Sequence, residues 1–307
     1  MQPVRLCRVT LRQLAYFEAL ARTRHFGRAA ELCAISQPAL SVQIQELERE
    51  LGVLLVERSR GGIALTPQGE YVVRRIRRIL GEVQDLVDSA SQIEAAGTIR
   101  LGVIPTIAPY LMPVIFTAVS RKSPSIQIQV RETQTHRLLE ELEQGSIDLL
   151  LAALPIASPG IEVQPLFRDR FFLAVPANAT IGARVSSIAS LAPYRLLLLE
   201  EGHCLRDQAL SACNSADKEM QASLGATSLA TLIELVAAGM GVTFLPELCL
   251  PSVHEDSRIR VVPFRGAAPY RTVGLAWRKS SGQKTTFRRL AELITQARRS
   301  QRRGYSH

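Results

Sequence analysis

Two cysteines, Cys204 and Cys213, are the residues of this sequence best suited to chemistry. Cys204 precedes Leu205–Ala212, a stretch of mostly good helix formers, so it is predicted to lie at a helix N-terminus. Unpaired N–H groups and the helix dipole favour an anion at that position. The flanking His203 and Arg206, when charged, would favour the thiolate of Cys204 further. The pattern therefore predicts a reactive thiolate.

The spacing of the two cysteines decides how they can interact. If Cys204 and Cys213 belong to one helix, their Cα atoms are about 13 Å apart and their side chains point to opposite faces. A disulfide requires Cα atoms within about 7 Å, so the helix would have to unwind before the two sulfurs could bond. Oxidation would then become a refolding event, as a redox switch requires. The alternative is two unrelated cysteines, with Cys213 buried as a small apolar residue.

Composition limits the class of protein. The chain has 307 residues, 47% hydrophobic and 21% charged, which is enough for two globular domains. No segment approaches the about 20 apolar residues of a membrane span, and no apolar stretch follows Arg5 and Arg8 as it would in a secretory signal. The five cysteines are scattered and show no zinc-type CxxC pair. We therefore expect a cytoplasmic protein without a membrane segment, a bound metal or a cofactor.

The net charge of +9 is unevenly distributed along the chain. Residues 1–96 carry 13 basic and 11 acidic side chains, residues 97–264 carry 13 and 16, and residues 265–307 carry 11 and 1. The basic excess is thus a C-terminal feature, predicted as a solvated helix face and a loose tail that includes Arg298 and Arg299. Solubility explains it as well as a DNA contact does, so charge alone does not indicate DNA binding.

The N-terminal region predicts a helix-turn-helix followed by a wing. Helices are expected over Leu11–Arg22 and Phe26–Leu32, and a third runs from its N-cap Ser36 to Leu51. Two short apolar runs, Val53–Val56 and Ile63–Leu65, then surround a basic tip suited to phosphate or minor-groove contact. An ordinary helical subdomain is the alternative. The residues predicted to contact DNA are Ser36, Gln37, Pro38, Ser41, Gln45 and Arg58.

A long helix is predicted after Thr66, which would cap it, and Pro67, which suits its first position. Its apolar residues follow a heptad seam, and a narrow seam on an isolated helix needs a partner. A second copy of the chain is the simplest partner, and packing against the chain's own domains is the alternative. A symmetric dimer would present two recognition helices to a two-fold symmetric operator. The seam consists of Val72, Ile76, Ile79, Val83, Leu86, Ala90 and Ile93.

The C-terminal two-thirds alternate between strand-like and helix-like stretches, which predicts an α/β domain with mainly parallel sheets. Ligands in such folds bind beyond the carboxyl ends of the strands. Thr106, Thr135 and Cys204 each follow a predicted strand, so one cleft can hold all three; turn or cap roles are the alternative for the threonines. Strands are predicted at Ile99–Ile104, Ile126–Glu132, Asp148–Leu154, Phe171–Val175, Arg195–Leu199, Gly241–Leu245, Ile259–Phe264 and Arg271–Trp277.

Several segments of the sequence resemble those of a known protein family. The N-terminal region resembles the DNA-binding domain of LysR-type transcriptional regulators in the segments Phe26–Ala30, Ile35–Ser41, Leu47–Gly52 and Leu65–Gly69. The remainder resembles the peroxide-sensing OxyR branch of that family in Val103–Pro113, Glu132–Leu139, Gly202–Ala209, Ala226–Leu229, Ala237–Gly239 and Arg271–Leu275. Ser211–Ala212 and Asn214–Leu224 differ from the enterobacterial form, and residues 1–9 have no clear counterpart.

This resemblance implies specific roles. Cys204 would be the peroxidatic cysteine, oxidised to a sulfenic acid, and Cys213 the resolving one that condenses with it to a disulfide. Donors around the bound peroxide would assist the departing hydroxide. The implied peroxide-binding residues are Thr106, Thr135, His203, Arg271 and Asp207.

The resemblance also implies an architecture and partners. We expect a winged helix-turn-helix over residues 1–66, a dimerisation helix over 67–96 and a periplasmic-binding-protein-like regulatory domain over 97–307. That α/β domain would comprise subdomain I (about 97–168 and 269–307) and subdomain II (about 169–268). Expected partners are double-stranded DNA, RNA polymerase and further copies of the chain, as a homodimer pairing into a tetramer. The implied function is transcriptional regulation by hydrogen peroxide without enzymatic turnover; a regulator responding to a small metabolite and a thiol peroxidase are the alternatives.

Overall fold

A computed structural model describes residues 8–59, 62–90, 97–182, 185, 191, 194–212, 221–253, 256–266 and 268–304. The chain divides into two compact units, one formed by residues 1–92 with 143–146 and the other by residues 93–142 with 147–307. None of the described helices is long and apolar enough to cross a membrane.

The first unit is the predicted helix-turn-helix with its wing. Thr10 and Gln13 form a reciprocal capping box at the first helix, Ser36 Oγ accepts a hydrogen bond from Ala39 N at 3.3 Å at the third, and Gly52 ends the third with φ +70°. These caps confirm the predicted helix boundaries to within a residue. The elements are α1 (Leu11–Thr23), α2 (Phe26–Leu32), α3 (Gln37–Leu51), β1 (Val56–Ser59), β2 (Gly62–Leu65) and α4 (Pro67–Ala90).

Helix α4 carries the predicted heptad seam, and its two halves differ. Thr66 Oγ1 accepts a hydrogen bond from Gly69 N at 2.9 Å, which confirms the N-cap. Ile76 is buried in the core of the first unit, whereas Ile79 and Leu86 are 44% and 66% exposed. The part of the seam nearest the helix-turn-helix therefore packs within its own unit, as the alternative interpretation held, whereas beyond it Ile79 and Leu86 are exposed and Val83 is half-buried. Ile93 and the Ala90 side chain lie outside the described residues.

The second unit is built on a seven-stranded sheet in the order β10-β6-β11-β5-β3-β4, with β9 also on β6, and on a separate parallel pair, β7 and β8. Its elements are β3 (Gly97–Val103), α5 (Ala108–Lys122), β4 (Ile126–Glu132), α6 (Thr135–Glu143), β5 (Leu149–Leu154), β6 (Ile161–Pro176), β7 (Leu196–Leu199), α7 (Cys204–Ala212), β8 (Gln221–Ala226), α8 (Leu229–Ala237), β9 (Thr243–Pro246), a 3-10 helix (Glu247–Ser252), β10 (Ile259–Val262), β11 (Tyr270–Arg278) and α9 (Lys284–Gly304).

The prediction of mainly parallel sheets is wrong. Strand β3 is parallel to β4 and β5, but β11 is antiparallel to β5 and β6, and β6 is antiparallel to β9 and β10. The last strand, β11, inserts between β5 and β6 and runs antiparallel to both, so this part of the sheet joins strands that are far apart in the chain. Helices and strands thus do alternate along much of the chain, but β6, β9, β10 and β11 pair antiparallel.

The long strand β6 joins two hydrophobic cores. Ile161 at its start belongs to a cluster that contains Leu101 and Trp277, and Phe171 and Leu173 farther along belong to a cluster that contains Phe244. Because one strand supplies both cores, the two halves of this unit share a hydrogen-bonded sheet. The prediction of a strand from Phe171 therefore identified only the second half of β6.

Candidate functional site

The thiol of Cys204 stands at the first position of α7, as predicted. It is free, half-buried and packed against the cluster around Leu101 and Trp277. Cys213 lies outside the described residues, so its distance from Cys204 and the disulfide between them stay predictions.

The loop before Cys204 lies against the end of β4. Gly202 has φ +90°, and a Cβ added there would stand 2.9 Å from Gln134 Oε1. Gln134 Nε2 also donates a hydrogen bond to the carbonyl oxygen of Glu201 at 3.4 Å. Glycine is required at 202 both for its positive φ and for this close approach. The structure thus brings the segment that leads into Thr135 next to the segment that leads into Cys204.

Two buried polar atoms in these segments have no hydrogen-bond partner among the described residues: Thr135 Oγ1, at the start of α6, and Gln208 Oε1. Gln208 lies four residues after Cys204 on α7, and this spacing places the two on one helix face. Buried polar atoms in folded proteins normally have a partner, so the pair suits a small polar molecule. Gln208 was not predicted as a site residue, although its i, i+4 spacing from Cys204 was a usable signal.

Arg271 and Thr106 belong to a closed buried network. Arg271 Nη1 donates to Thr106 Oγ1 at 2.7 Å and Nη2 to the Thr106 carbonyl oxygen at 3.0 Å. Arg271 Nε donates to Asp169 Oδ2 at 2.9 Å, and Asp169 Oδ1 accepts a hydrogen bond from Leu248 N at 3.0 Å. The side chains of this ion pair are fully buried. Because Arg271 occupies the Thr106 oxygen as an acceptor, the Thr106 hydroxyl hydrogen is available to another acceptor.

The network shows what holds Arg271 in place. Its guanidinium binds Thr106 and Asp169, and its contact with peroxide, which the resemblance implies, stays a prediction. Asp169 was not selected from the sequence because it lies between two arginines, just before the strand predicted from Phe171. Its partner stands 102 positions away in the chain, which no local pattern reveals.

His203, Arg206 and Asp207 surround the start of α7 in different ways. His203 is buried, and burial holds the pKa of its imidazole below the usual range, while the charge of Glu200 opposes this shift. The positive charge considered for His203 is therefore absent near neutral pH, and the residue before Cys204 carries a neutral imidazole. Arg206 Nη1 donates to the Leu199 carbonyl oxygen at 3.0 Å, and Asp207 is exposed.

Helix α3 exposes the face predicted to contact DNA. Leu40, Ile44 and Leu47 are buried on one side, whereas the candidate DNA contacts Ser36, Gln37, Pro38 and Gln45 are exposed and Ser41 is partly exposed. Ser36 also caps the helix. Arg58 lies in β1, and its side chain is outside the described residues.

Comparisons with known proteins cover nearly the whole chain. Residues 11–70 match the family of bacterial regulatory helix-turn-helix proteins of the lysR type, and residues 92–299 match the LysR substrate binding domain. The DNA-binding transcriptional dual regulator OxyR of Escherichia coli K12 is 39% identical over 289 residues, 93% of this chain and 95% of that protein.

Two solved structures agree with these matches. A cysteine-to-aspartate variant of full-length OxyR from Pseudomonas aeruginosa has a TM-score of 0.80 and 37% identity, covering 94% of this chain and 95% of that one. A hydrogen-peroxide-bound cysteine-to-serine variant of OxyR from Corynebacterium glutamicum has a TM-score of 0.67 and 32% identity, covering 95% and 94%. With its helix-turn-helix and its mixed α/β second unit, this chain belongs to the LysR family of transcription regulators.

Proposed function

We propose that this protein is a DNA-binding transcription regulator that senses hydrogen peroxide through Cys204. The proposal rests above all on the free thiol at the start of α7, with buried oxygens on Gln208 of the same helix and on Thr135 of the adjoining segment that have no partner in the described part of the chain. Peroxide is a small molecule that both donates and accepts hydrogen bonds, so it suits two such atoms. The relatives named for OxyR and the peroxide-bound OxyR structure support this choice of signal.

The chemistry proceeds in two balanced steps. Neutral His203 accepts the thiol proton of Cys204, the thiolate attacks one peroxide oxygen, and the O–O bond breaks as the S–O bond forms. The departing hydroxide takes up the proton and leaves as water, with hydrogen bonds from the Thr106 and Thr135 hydroxyls. Cys213 then attacks the sulfenic acid, forming the disulfide and releasing a second water. Asp207, on α7, contributes to binding the peroxide. Arg271 holds Thr106 in position.

The disulfide then changes how the protein holds DNA. Residues 97–307 act as the sensing domain, and α7 must unwind for the two sulfurs to meet. Residues 67–96 join two copies through the exposed part of the seam, and two dimers pair into a tetramer. Residues 1–66 bind double-stranded DNA in the cytoplasm, and the rearranged oligomer changes its contact with RNA polymerase. Peroxide is consumed as a signal rather than turned over, so the protein is not an enzyme.

Mass spectrometry of the reduced full-length protein after one equivalent of hydrogen peroxide tests the proposal. We expect loss of two hydrogen atoms, mapped to a Cys204–Cys213 bond, and a trapped sulfenic acid at Cys204 in Cys213→Ser. Cys204→Ser should be inert. Cys33→Ser is the matched control, because Cys33 is also a free, half-buried thiol but lies in the first unit. DNA footprints of the reduced and oxidised forms should differ.

Two results would contradict the proposal. An unreacted Cys204, with Cys33 oxidised at the same rate or faster, would leave a LysR-type regulator whose signal is another small molecule. Continuous consumption of peroxide in the presence of a thiol reductant, with unchanged DNA footprints, would instead indicate a thiol peroxidase.

A further inference from the structure

A second cleft of the larger unit shares no residue with the proposed peroxide site. It has a volume of about 590 Å³ and lies between β6, the segment before β11 and the C-terminal half of α9. Four arginines line it, Arg168, Arg170, Arg298 and Arg299, against one acidic residue, Glu247. Arg298 and Arg299 were predicted to belong to a solvated helix face and a loose tail. Both are helical in α9; Arg299 is exposed as predicted, whereas Arg298 is buried.

Strand alternation explains how two of these arginines reach the cleft. Successive residues of a strand point to opposite faces, and Asp169 points inward to Arg271. Arg168 and Arg170, its neighbours on β6, therefore point outward. Tyr270 pairs with Arg170 across the sheet, and the Arg168 guanidinium stacks over the Tyr270 ring at 4.6 Å. The buried ion pair thus fixes the strands that present this basic surface.

The charges of three of these arginines are uncompensated. Arg168, Arg170 and Arg299 are exposed, and none forms an ion pair within the described part of the chain. Arg298 differs, because its guanidinium stands over the Phe167 ring at 5.9 Å and its Nη1 donates to Gln301 Oε1 at 2.9 Å. Like charges gathered in a concave surface raise the local positive potential and attract a multiply charged anion.

The lining also indicates what the anion carries. Guanidinium groups match phosphate oxygens in a bidentate geometry. The Arg168–Tyr270 stack and the Phe167 ring offer planar surfaces on which a nucleobase can stack. The volume also falls within the roughly 300–1,000 Å³ of small-molecule sites and exceeds what an inorganic phosphate fills.

We propose that this cleft binds a nucleoside polyphosphate. The phosphates lie on Arg170 and Arg299, and the base stacks on the Arg168–Tyr270 pair. This site is separate from the peroxide chemistry, so either proposal can fail without the other.

Isothermal titration calorimetry of the full-length reduced protein with ATP and with GTP, at low salt and without DNA, tests the site. We expect one nucleotide per chain and at least tenfold weaker binding of both adenosine and inorganic triphosphate. The double variant Arg170→Gln/Arg299→Gln should weaken ATP binding at least tenfold. Arg289→Gln is the control for charge, because Arg289 is an exposed arginine on α9 outside the cleft, and it should change the affinity less than twofold.

Three results would overturn the proposal. No saturable heat with millimolar ATP or GTP would mean that the cleft holds no nucleotide. Triphosphate binding as tightly as ATP would show a site for anions alone. An equal loss of affinity in Arg289→Gln and in the double variant would show general attraction to a basic protein. Circular dichroism of each variant confirms folding, and Arg168→Gln, which removes the stacked guanidinium, should independently weaken ATP more than triphosphate.

Discussion

The thiols of Cys249 and Cys204 differ in burial, and we expect them to differ in reactivity. Cys249 is fully buried, and burial together with the negative charge of Asp169 raises the pKa of its thiol far above the usual range. It remains a protonated donor, with Sγ 2.9 Å from the Pro246 carbonyl oxygen. Cys204 is half-buried and stands at a helix start, directly after a residue that carries a neutral imidazole. Reactivity is therefore expected at Cys204 and not at Cys249, although both touch the hydrophobic cores.

Buried His203 makes stability depend on pH. Its pKa is lowered in the folded state, so below the unfolded-state pKa of about 6.5 the unfolded chain binds more protons and stability falls as the pH falls. Above that pH this residue contributes no slope. We expect urea unfolding between pH 5 and 8 to show a loss toward pH 5, limited for one proton to about 1.4 kcal/mol per pH unit. His203→Gln should flatten this part of the profile; an unchanged profile would show that His203 does not titrate below its usual range.

A comparison of Gly202 with Gly239 distinguishes the effect of a positive φ from the effect of a close side-chain contact. Both have a positive φ, +90° and +77°, but an added Cβ meets Gln134 only at 202, and nothing lies within 4 Å at 239. Replacing either by alanine should destabilise the protein by roughly 1 kcal/mol or more through the backbone. Only Gly202→Ala must also displace the Gln134 side chain, which donates a hydrogen bond to the Glu201 carbonyl oxygen in the loop before Cys204, so only it should slow disulfide formation by peroxide, measured by quenched-flow mass spectrometry. Equal oxidation rates in the two variants would contradict the role of this contact.

At the scale of elements, the sequence predicts what local physics controls. Caps such as Thr10, Ser36 and Thr66 fix helix boundaries through bonds to residues three positions away, and those boundaries were confirmed. Strand direction depends on distant partners, and it was predicted wrongly. The part of β6 before Phe171 was not predicted as a strand, because the charged residues Arg168, Asp169 and Arg170 interrupt the apolar pattern there. Thr106 and Arg271 were predicted as site residues, but their partnership with Asp169 requires the folded sheet.

Helix α4 is the element that we expect to join two chains. Ile79 and Leu86 continue a seam whose earlier member Ile76 is buried, yet both are exposed. The double variant Ile79→Glu/Leu86→Glu should dissociate the dimer without unfolding either unit, because charges in a coiled-coil seam cannot be buried without a large penalty. Analytical ultracentrifugation gives the mass, and Leu32→Glu, at an equally exposed leucine on α2, is the control. An unchanged mass would place the dimer contact elsewhere.

At the scale of the whole molecule, the distribution of cores determines which parts unfold together. The first unit has a core of its own around Phe17 and Leu47. The second has two clusters, but β6 supplies residues to both and binds β9, β10 and β11. The two clusters should therefore melt as one, while the first unit melts separately.

Differential scanning calorimetry with one variant in each unit tests this division. Asp169→Asn leaves the buried Arg271 without a counter-charge, which costs about 3 kcal/mol or more. The melting temperature of the second unit should therefore fall by roughly 6 °C or more. Leu47→Ala opens a cavity in the first unit, which costs about 2 kcal/mol or more, and should lower only the melting temperature of that unit. Glu141→Gln breaks the half-exposed Arg131–Glu141 pair and should change the free energy of unfolding by no more than about 1 kcal/mol. If Asp169→Asn split its transition in two, the clusters joined by β6 would be separate folding units; if either variant moved both transitions, the two units would unfold together.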